Sequence, residues 1–169
     1  LTINMKPSVK WALIGSMASL LWLALEYVVG LHDKYIEYHP MVTNFALIIP
    51  ILSLRQTVED TKALYPELTF QKAFSECAIG VLLTTFLAPI GVYVFFKYVN
   101  PDYFNAFIQY AVAHADQMHV TKEKALQRAS SYFNFQMYLT QTVLSTLFGG
   151  LLIGVTVSYL QTRNQRAEQ

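Results

Sequence analysis

The stretch YLTQTVLSTLFGGLLIGVTVSY, residues 138–159, carries no charged side chain. An α-helix of this length rises about 33 Å, because each residue adds ~1.5 Å. The hydrocarbon core of a bilayer is roughly 30 Å thick, so the stretch predicts a membrane-spanning helix. A chain with such a helix is a membrane protein, and the other apolar stretches are therefore candidates for further spans.

Three further apolar stretches resemble this one. Past Lys10, residues 9–31 contain a single charge, Glu26, and residues 74–99 are charged only near their ends. The run MVTNFALIIPILSL, residues 41–54, is shorter than a span, so it either borrows flanking residues or forms a re-entrant segment. The sequence predicts an all-α bundle of four transmembrane helices. Its spans are predicted at about 9–31, 38–58, 74–99 and 137–161.

The composition fits a single membrane domain, residues 1–169. Hydrophobic residues make up 54% of the chain and charged residues 14%, whereas soluble domains carry about 25% charged residues. The length suits one compact unit. The net charge of +1 indicates no nucleic-acid surface. The expected partners are the lipid bilayer and either a partner protein or a second copy of the chain.

The placement of Lys and Arg predicts the orientation, because cytoplasmic loops of membrane proteins are enriched in these residues. Four spans place both termini on one side. With the termini inside, the cytoplasmic side holds Lys6, Lys10, Arg55, Lys62, Lys72, Arg163 and Arg166. The outer side then holds the smaller set Lys34, Lys97, Lys122, Lys124 and Arg128. Both termini are predicted to be cytoplasmic.

The connections between the spans carry helix signals of their own. The inner connection, residues 55–72, is predicted to extend the second helix until Pro66 ends it, with Thr69 capping the third helix. The outer connection, residues 101–136, has apolar residues at helical spacing on both sides of Thr121, a candidate N-cap. It predicts an extracytoplasmic helical hairpin, whose second helix is a candidate to run unbroken into the last span. The hairpin either covers the bundle end or offers a docking platform.

Three sequence features combine into a family resemblance. They are the run LTFQKAF at residues 68–74, the run PDYF at residues 101–104, and the glycine-rich last span. Together they resemble the domain of unknown function 4199 family, small four-span membrane proteins found mainly in Bacteroidota. The resemblance covers most of the chain and implies four helices and a bacterial inner-membrane location. It implies no activity and no catalytic residue, because the family has no characterised activity.

Glu26 is the first residue to explain chemically, since a carboxylate within a span is costly and often functional. It lies near the outer end of its helix, so it either reaches the headgroups, bonds a neighbouring helix or belongs to a proton or cation site. A candidate intramembrane polar site joins Glu26 to Asn44, Thr84, Thr85 and Gln141. Polar side chains of this kind also serve as hydrogen-bonding contacts between helices.

Residue types that bind metals occur in the loop after the first span, namely His32, Asp33, Glu37 and His39. His32 and His39 are seven positions apart, too far to share one ion on a straight helix, although a loop can bring them together. His114 and His119 are more remote candidates. Polar loop residues need no metal, so these residues are weak candidates, and the sequence predicts no metal, no cofactor and no catalytic residue.

The glycines Gly149, Gly150 and Gly154 are predicted to pack against a helix of this chain or of a second copy. Glycine lets two helix backbones approach closely in a membrane.

The motif search favours a protein that is not an enzyme. The sequence contains no phosphate loop, dinucleotide glycine pattern, nucleophile elbow or zinc-protease motif. We expect a structural or accessory subunit that interacts with other membrane proteins. The alternative is a small oligomeric transporter or channel for an ion or small solute, with Glu26 on its path.

Overall fold

A computed structural model describes residues 5–65 and 67–167, with side chains up to Arg163. Within these ranges the chain is helical and contains no strand. Pro66, which was predicted to end the second helix, lies outside the described residues, as does the side chain of Arg166.

The described residues form α-helices joined by shorter helical turns. The α-helices are, in chain order, α1 (Pro7–Val28), α2 (His39–Val42), α3 (Ile48–Leu64), α4 (Phe70–Val94), α5 (Tyr103–Ala113), α6 (Lys122–Tyr132), α7 (Phe135–Leu144) and α8 (Gly150–Ala167). Two 3₁₀ segments, Ile36–Tyr38 and Thr43–Leu47, flank α2. Two π-helical segments, Phe95–Val99 and Ser145–Gly149, extend α4 and join α7 to α8.

Four helical stretches in the described ranges are long and apolar enough to cross a membrane, judged by length and composition. They are Pro7–Val28, Ile36–Leu64, Phe70–Val99 and Phe135–Arg163. The prediction of a helical chain with four candidate spans is therefore confirmed. The second span reaches its length because helical turns extend the short run 41–54 at both ends.

The segment between the third and fourth candidate spans contains α5 and α6. Thr121 caps α6 as predicted, because its hydroxyl accepts a hydrogen bond from the Lys124 N–H at 3.3 Å. The helix does not run unbroken into the last span, however. α6 ends at Tyr132, and α7 begins at Phe135 as a separate helix. Asn134 acts as the N-cap of α7, because its side-chain oxygen accepts a hydrogen bond from the Met137 N–H at 2.9 Å.

The first of two compact units combines Leu1–Ser19, Ala46–Ala88 and Val143–Gln169. Its buried core consists of Leu54, Val58, Leu68, Ala73, Cys77 and Val81. Lys10 and Trp11 of α1 each donate a hydrogen bond of 2.8 Å to the Asp60 carboxylate of α3. This shared acceptor connects α1 to α3. Thr69 caps α4 as predicted, accepting from the Lys72 N–H at 3.3 Å.

Glycines of α8 make close contacts within this first unit. A Cβ at Gly150 would lie 2.9 Å from the Val81 Cγ1 atom, and one at Gly154 would lie 3.2 Å from the Cys77 Cβ atom. A Cβ at Gly149 would meet nothing within 4 Å. Gly150 and Gly154 therefore pack closely within one chain, whereas Gly149 borders open space, and packing of these glycines against a second copy stays a prediction.

The second compact unit combines Leu20–Phe45 and Pro89–Thr142. Its buried core is mostly aromatic and consists of Leu23, Ile36, Val92, Phe95, Phe96, Tyr103 and Phe107. Phe107 also stacks on Phe133, with ring centroids 5.0 Å apart. The boundaries between the units fall inside α1, the 3₁₀ segment Thr43–Leu47, α4 and α7. The single domain predicted from the length stays a prediction.

Two neighbouring glycines test the packing of α8. Gly150→Ala should lower the free energy of unfolding by about 1–3 kcal/mol, because the new methyl group meets the stiff Val81 side chain. Gly149→Ala is the matched control and should leave stability unchanged or raise it by up to ~1 kcal/mol, since alanine favours helix. Thermal unfolding of both variants in detergent, followed by circular dichroism, measures the difference. Equal stability of the two variants would contradict close packing at Gly150.

Candidate metal centre

The last turn of α1 places a carboxylate inside the second unit. Glu26 is only 2% exposed. Trp22 lies one helical turn earlier, and its indole N–H donates to the Glu26 Oε1 atom at 2.6 Å. The second oxygen, Oε2, faces two histidines. The side chain thus contacts other protein groups, which argues against the interpretation that it simply reaches the headgroups.

A left-handed turn after α1 brings the chain back to this carboxylate. Gly30 has φ +82°, a conformation that L-residues with a side chain rarely adopt. The Gly30 N–H donates to the Tyr27 carbonyl at 3.0 Å, and the Leu31 N–H donates to the Glu26 carbonyl at 2.9 Å. This pair of bonds is the Schellman pattern that ends many helices. The reversal brings the next residue, His32, beside the Glu26 side chain.

His32 and His39 converge on the Glu26 carboxylate. The His32 Nε2 atom lies 3.7 Å from Glu26 Oε2, and the His39 Nε2 atom lies 3.6 Å from the same oxygen. Both histidines are buried, His32 at 2% exposure and His39 at 6%. On one straight helix, residues seven positions apart could not share an ion. The chain between His32 and His39 is instead a loop that turns through the 3₁₀ segment Ile36–Tyr38, and it brings the two rings together.

A π-helical turn presents further groups to the same cluster. Such a turn inserts an extra residue and is frequently found at functional sites. Here Phe95 and Phe96 are both buried, and the Asn100 N–H closes the turn by donating to the Phe95 carbonyl at 3.0 Å. The Asn100 side chain is thereby directed at His32, with its Nδ2 atom 3.0 Å from His32 Nδ1.

Aromatic rings enclose the two histidines. The ring centroid of Tyr103 lies 4.7 Å from that of His32 and 5.7 Å from that of His39. Phe95 meets His32, and Phe107 meets His39, in edge-to-face contacts. Burial raises the pKa of Tyr103 far above its ordinary value. The phenol therefore stays protonated and adds no negative charge to the cluster.

The cluster has the composition of a transition-metal site. One atom each from Glu26, His32 and His39 lies within 4.8 Å of the other two. The Nε2 atoms of both histidines have no hydrogen-bond partner within the described ranges. Distances of 3.6–3.7 Å are too long for hydrogen bonds. Two imidazoles and a carboxylate are, however, a known protein ligand set for zinc, and ligands ~2.0–2.1 Å from a tetrahedral ion stand about 3.3 Å apart.

The other predicted site residues do not join this cluster. Asp33, Glu37, Asn44 and Gln141 are exposed. The Asn44 amide donates to the Pro40 carbonyl of α2, four residues earlier, at 2.7 Å.

Four further candidates also lie apart from this cluster. Thr84 donates to the Gly80 carbonyl within α4. The Thr85 hydroxyl is buried and has no hydrogen-bond partner among the residues described. His114 donates to the Tyr110 carbonyl, and His119 is exposed.

The sequence interpretation overlooked three contributors to the site. Trp22 carried a usable signal, because it precedes Glu26 by four residues and therefore lies on the same helix face. Asn100 and Tyr103 carried none. Their contact with His32 depends on a π-helical turn that local sequence patterns do not reveal.

Comparison with known proteins gives a family match. A family model with the description "Protein of unknown function (DUF4199)" matches residues 10–163, a range that includes every residue of the cluster. No curated protein matches the chain, and no solved structure matches it.

The turn at Gly30 can be tested by a graded series of substitutions. Gly30→Asn, Gly30→Ala and Gly30→Val should destabilise the protein in that increasing order. The left-handed conformation costs about 1–2 kcal/mol for ordinary residues, while Asn tolerates it best. Unfolding of the three variants in detergent provides the measurement. If valine were accepted as well as asparagine, the turn would not be needed to position His32.

Proposed function

The chain belongs to this family of unknown function, and we propose that it is a multi-pass inner-membrane protein that binds a divalent transition-metal ion through Glu26, His32 and His39. The observation that carries the proposal is the pair of buried imidazole Nε2 atoms that face one carboxylate oxygen without hydrogen-bond partners among the described residues. We propose that the ion stabilises an accessory subunit that interacts with other membrane proteins.

A bound ion would account for groups that are otherwise unfavourable. A buried polar atom without a hydrogen bond costs roughly 1–3 kcal/mol, and this cluster holds two such nitrogens, whose contacts with the Glu26 carboxylate are too long for hydrogen bonds. A buried carboxylate is costlier still unless it is paired. An ion between the three side chains would be coordinated by both nitrogens and by the free oxygen of Glu26. The Trp22 indole already holds the other oxygen of that carboxylate.

The donor set favours zinc over the common hard cations. Magnesium and calcium prefer sites built from oxygen ligands alone. Imidazole suits zinc, copper, iron and nickel, and zinc sites made of two histidines and one glutamate are well established in proteins. One carboxylate and two neutral imidazoles would reduce the charge of a divalent ion to +1. A fourth ligand would come from water.

The topology predicted from Lys and Arg places this centre at the outer side of the membrane. Both termini would be cytoplasmic, and α5 and α6 would form the extracytoplasmic helical hairpin. Tyr103 and Phe107, on α5, contact the two histidines. An ion would therefore hold in place the two imidazoles against which the hairpin's first helix packs, and this would give a partner protein an ordered surface. The proposed role is structural and not enzymatic, because the aromatic rings leave the ligands little access to a substrate.

Transport of a metal ion is the second candidate function. It is favoured by one observation, the position of Glu26 inside the candidate span Pro7–Val28. A carboxylate within a span is a common element of an ion path. An oligomeric transporter would bind the ion at this centre and release it across the membrane.

Metal binding can be measured on the purified full chain. After treatment with a chelator, the protein in detergent should take up one zinc ion per chain in a competition titration. Glu26→Gln and His39→Gln should each weaken binding by more than about 100-fold, since loss even of outer-shell partners costs 10–100-fold. Glu37→Gln is the matched control and should bind like the wild type, because Glu37 is exposed. Zinc at 100 times its Kd should raise the free energy of unfolding by about 2.7 kcal/mol.

The contrary outcomes separate the alternatives. A folded wild-type protein that takes up no zinc, copper or nickel would refute the metal proposal. Uptake of zinc into proteoliposomes that depends on Glu26 would favour transport over an accessory role. The accessory role would be favoured if the wild type carried no zinc across the membrane and Glu26→Gln lost a partner protein that co-purifies with the wild type.

The proposed topology can be tested by cysteine labelling. The sole native cysteine, Cys77, is buried, so it should react little with a membrane-impermeant maleimide. Asp33 and Glu59 are both exposed, and the predicted topology places Asp33 outside and Glu59 in the cytoplasm. Asp33→Cys should therefore be labelled in intact bacterial spheroplasts, and Glu59→Cys only after the membrane is permeabilised. The reverse pattern would show that the termini face outward.

A further inference from the structure

We propose that Asn100 is a positioning residue that selects which nitrogen of His32 carries the proton, and so controls metal binding by that ring. This inference rests on the proposed metal-binding function. It concerns a side chain that would not touch the ion, since Asn100 contacts the ring nitrogen opposite the one that faces Glu26.

Asn100 is held firmly in place. The residue is buried, at 8% exposure, and its N–H donates to the Phe95 carbonyl at 3.0 Å. Its Nδ2 atom lies 3.0 Å from His32 Nδ1, although the two residues are 68 positions apart in the sequence. His32 itself is confined between aromatic rings, with Tyr103 4.7 Å and Phe95 6.1 Å away between centroids. Both partners of this contact are therefore shielded from water.

The Asn100 side-chain amide can form a hydrogen bond with either neutral tautomer of His32. When its NH₂ group faces the ring, it donates to His32 Nδ1, and the proton of the neutral ring must lie on Nε2, directed at Glu26. When the amide is turned over, its oxygen accepts from Nδ1–H, and the Nε2 lone pair becomes free to bind an ion. The neutral ring exchanges one proton position for the other, so its charge does not change.

The first arrangement suits the metal-free protein and the second suits the metal-bound one. In the first, His32 Nε2 carries hydrogen and cannot bind metal. In the second, the amide oxygen orients the ring and raises its basicity, as outer-shell acceptors do for metal-binding histidines. Asn100 would therefore stabilise both states and set the balance between them.

Substitutions of Asn100 should shift zinc affinity in opposite directions. Asn100→Asp offers only acceptor oxygens, so it should favour the metal-binding form and tighten zinc binding by about 10–100-fold. Asn100→Leu offers no acceptor and should weaken binding by a similar factor. Asn105→Asp is the charge control, because Asn105 is exposed on α5 and the substitution adds the same charge. It should change zinc affinity by less than about threefold, since exposed charges are largely screened.

A spectroscopic readout distinguishes positioning from mere packing. Nitrogen-15 NMR of histidine-labelled wild-type protein, with His32 assigned through a His32→Gln variant, reports which ring nitrogen carries hydrogen. We expect Nε2–H in the metal-free protein and Nδ1–H after zinc is added. In Asn100→Asp, we expect Nδ1–H in both states. This measurement needs only the wild type if a variant fails to fold.

The outcomes can be assigned separately to the two proposals. Zinc binding by the wild type that is unchanged in Asn100→Asp, or Nδ1–H in the wild type with and without zinc, overturns the role of Asn100 and leaves the metal centre intact. Equal tightening by Asn105→Asp shows that charge alone acts and also overturns the inference. A folded wild type without metal affinity overturns both proposals.

Discussion

The arrangement of the second unit depends on the burial of one carboxylate, that of Glu26. Removing a charge from water costs several kcal/mol unless partners compensate for it. The surrounding residues supply these partners from three directions. Trp22 donates to one oxygen, and His32 and His39 face the other. The backbone of Glu26 takes part as well, because its carbonyl accepts the Leu31 N–H and so fixes the turn that returns His32 to its own side chain.

The aromatic core extends this constraint through the second unit. Imidazole rings buried beside a carboxylate need neighbours that exclude water, and Tyr103, Phe95 and Phe107 fill this role. Two of these residues belong to α5 and one to the π-helical extension of α4. Consequently the loop after α1, the end of α4 and the start of α5 share one set of contacts. A π-helical turn is poorly favoured by itself, so its presence beside the histidines agrees with a functional origin.

Local sequence patterns predict the candidate spans and the helix caps. Length and hydropathy located four candidate spans, and Thr69 and Thr121 were recognised as caps because a cap acts within a few residues of itself. The site was foreseen only in parts. Residue type and position make Glu26, His32 and His39 candidates, but their convergence requires a positive φ at Gly30 and a 3₁₀ turn before His39. Asn100 lies 68 residues from His32, and no periodicity links them. Likewise Gly149 and Gly150 look alike in sequence, and only the position of Val81 separates them.

The geometry of the centre bears on the choice between a stable site and a transport site. An ion path must bind its ion strongly enough to admit it and weakly enough to release it. Here the backbone fixes the turn through Gly30, Trp22 holds the carboxylate, and aromatic rings confine both imidazoles. Ligands that are already positioned lose little entropy on binding, so affinity rises and dissociation slows. An ion held in this way would leave slowly, and the same rigidity that opposes transport suits a site that joins the loop after α1 to α5.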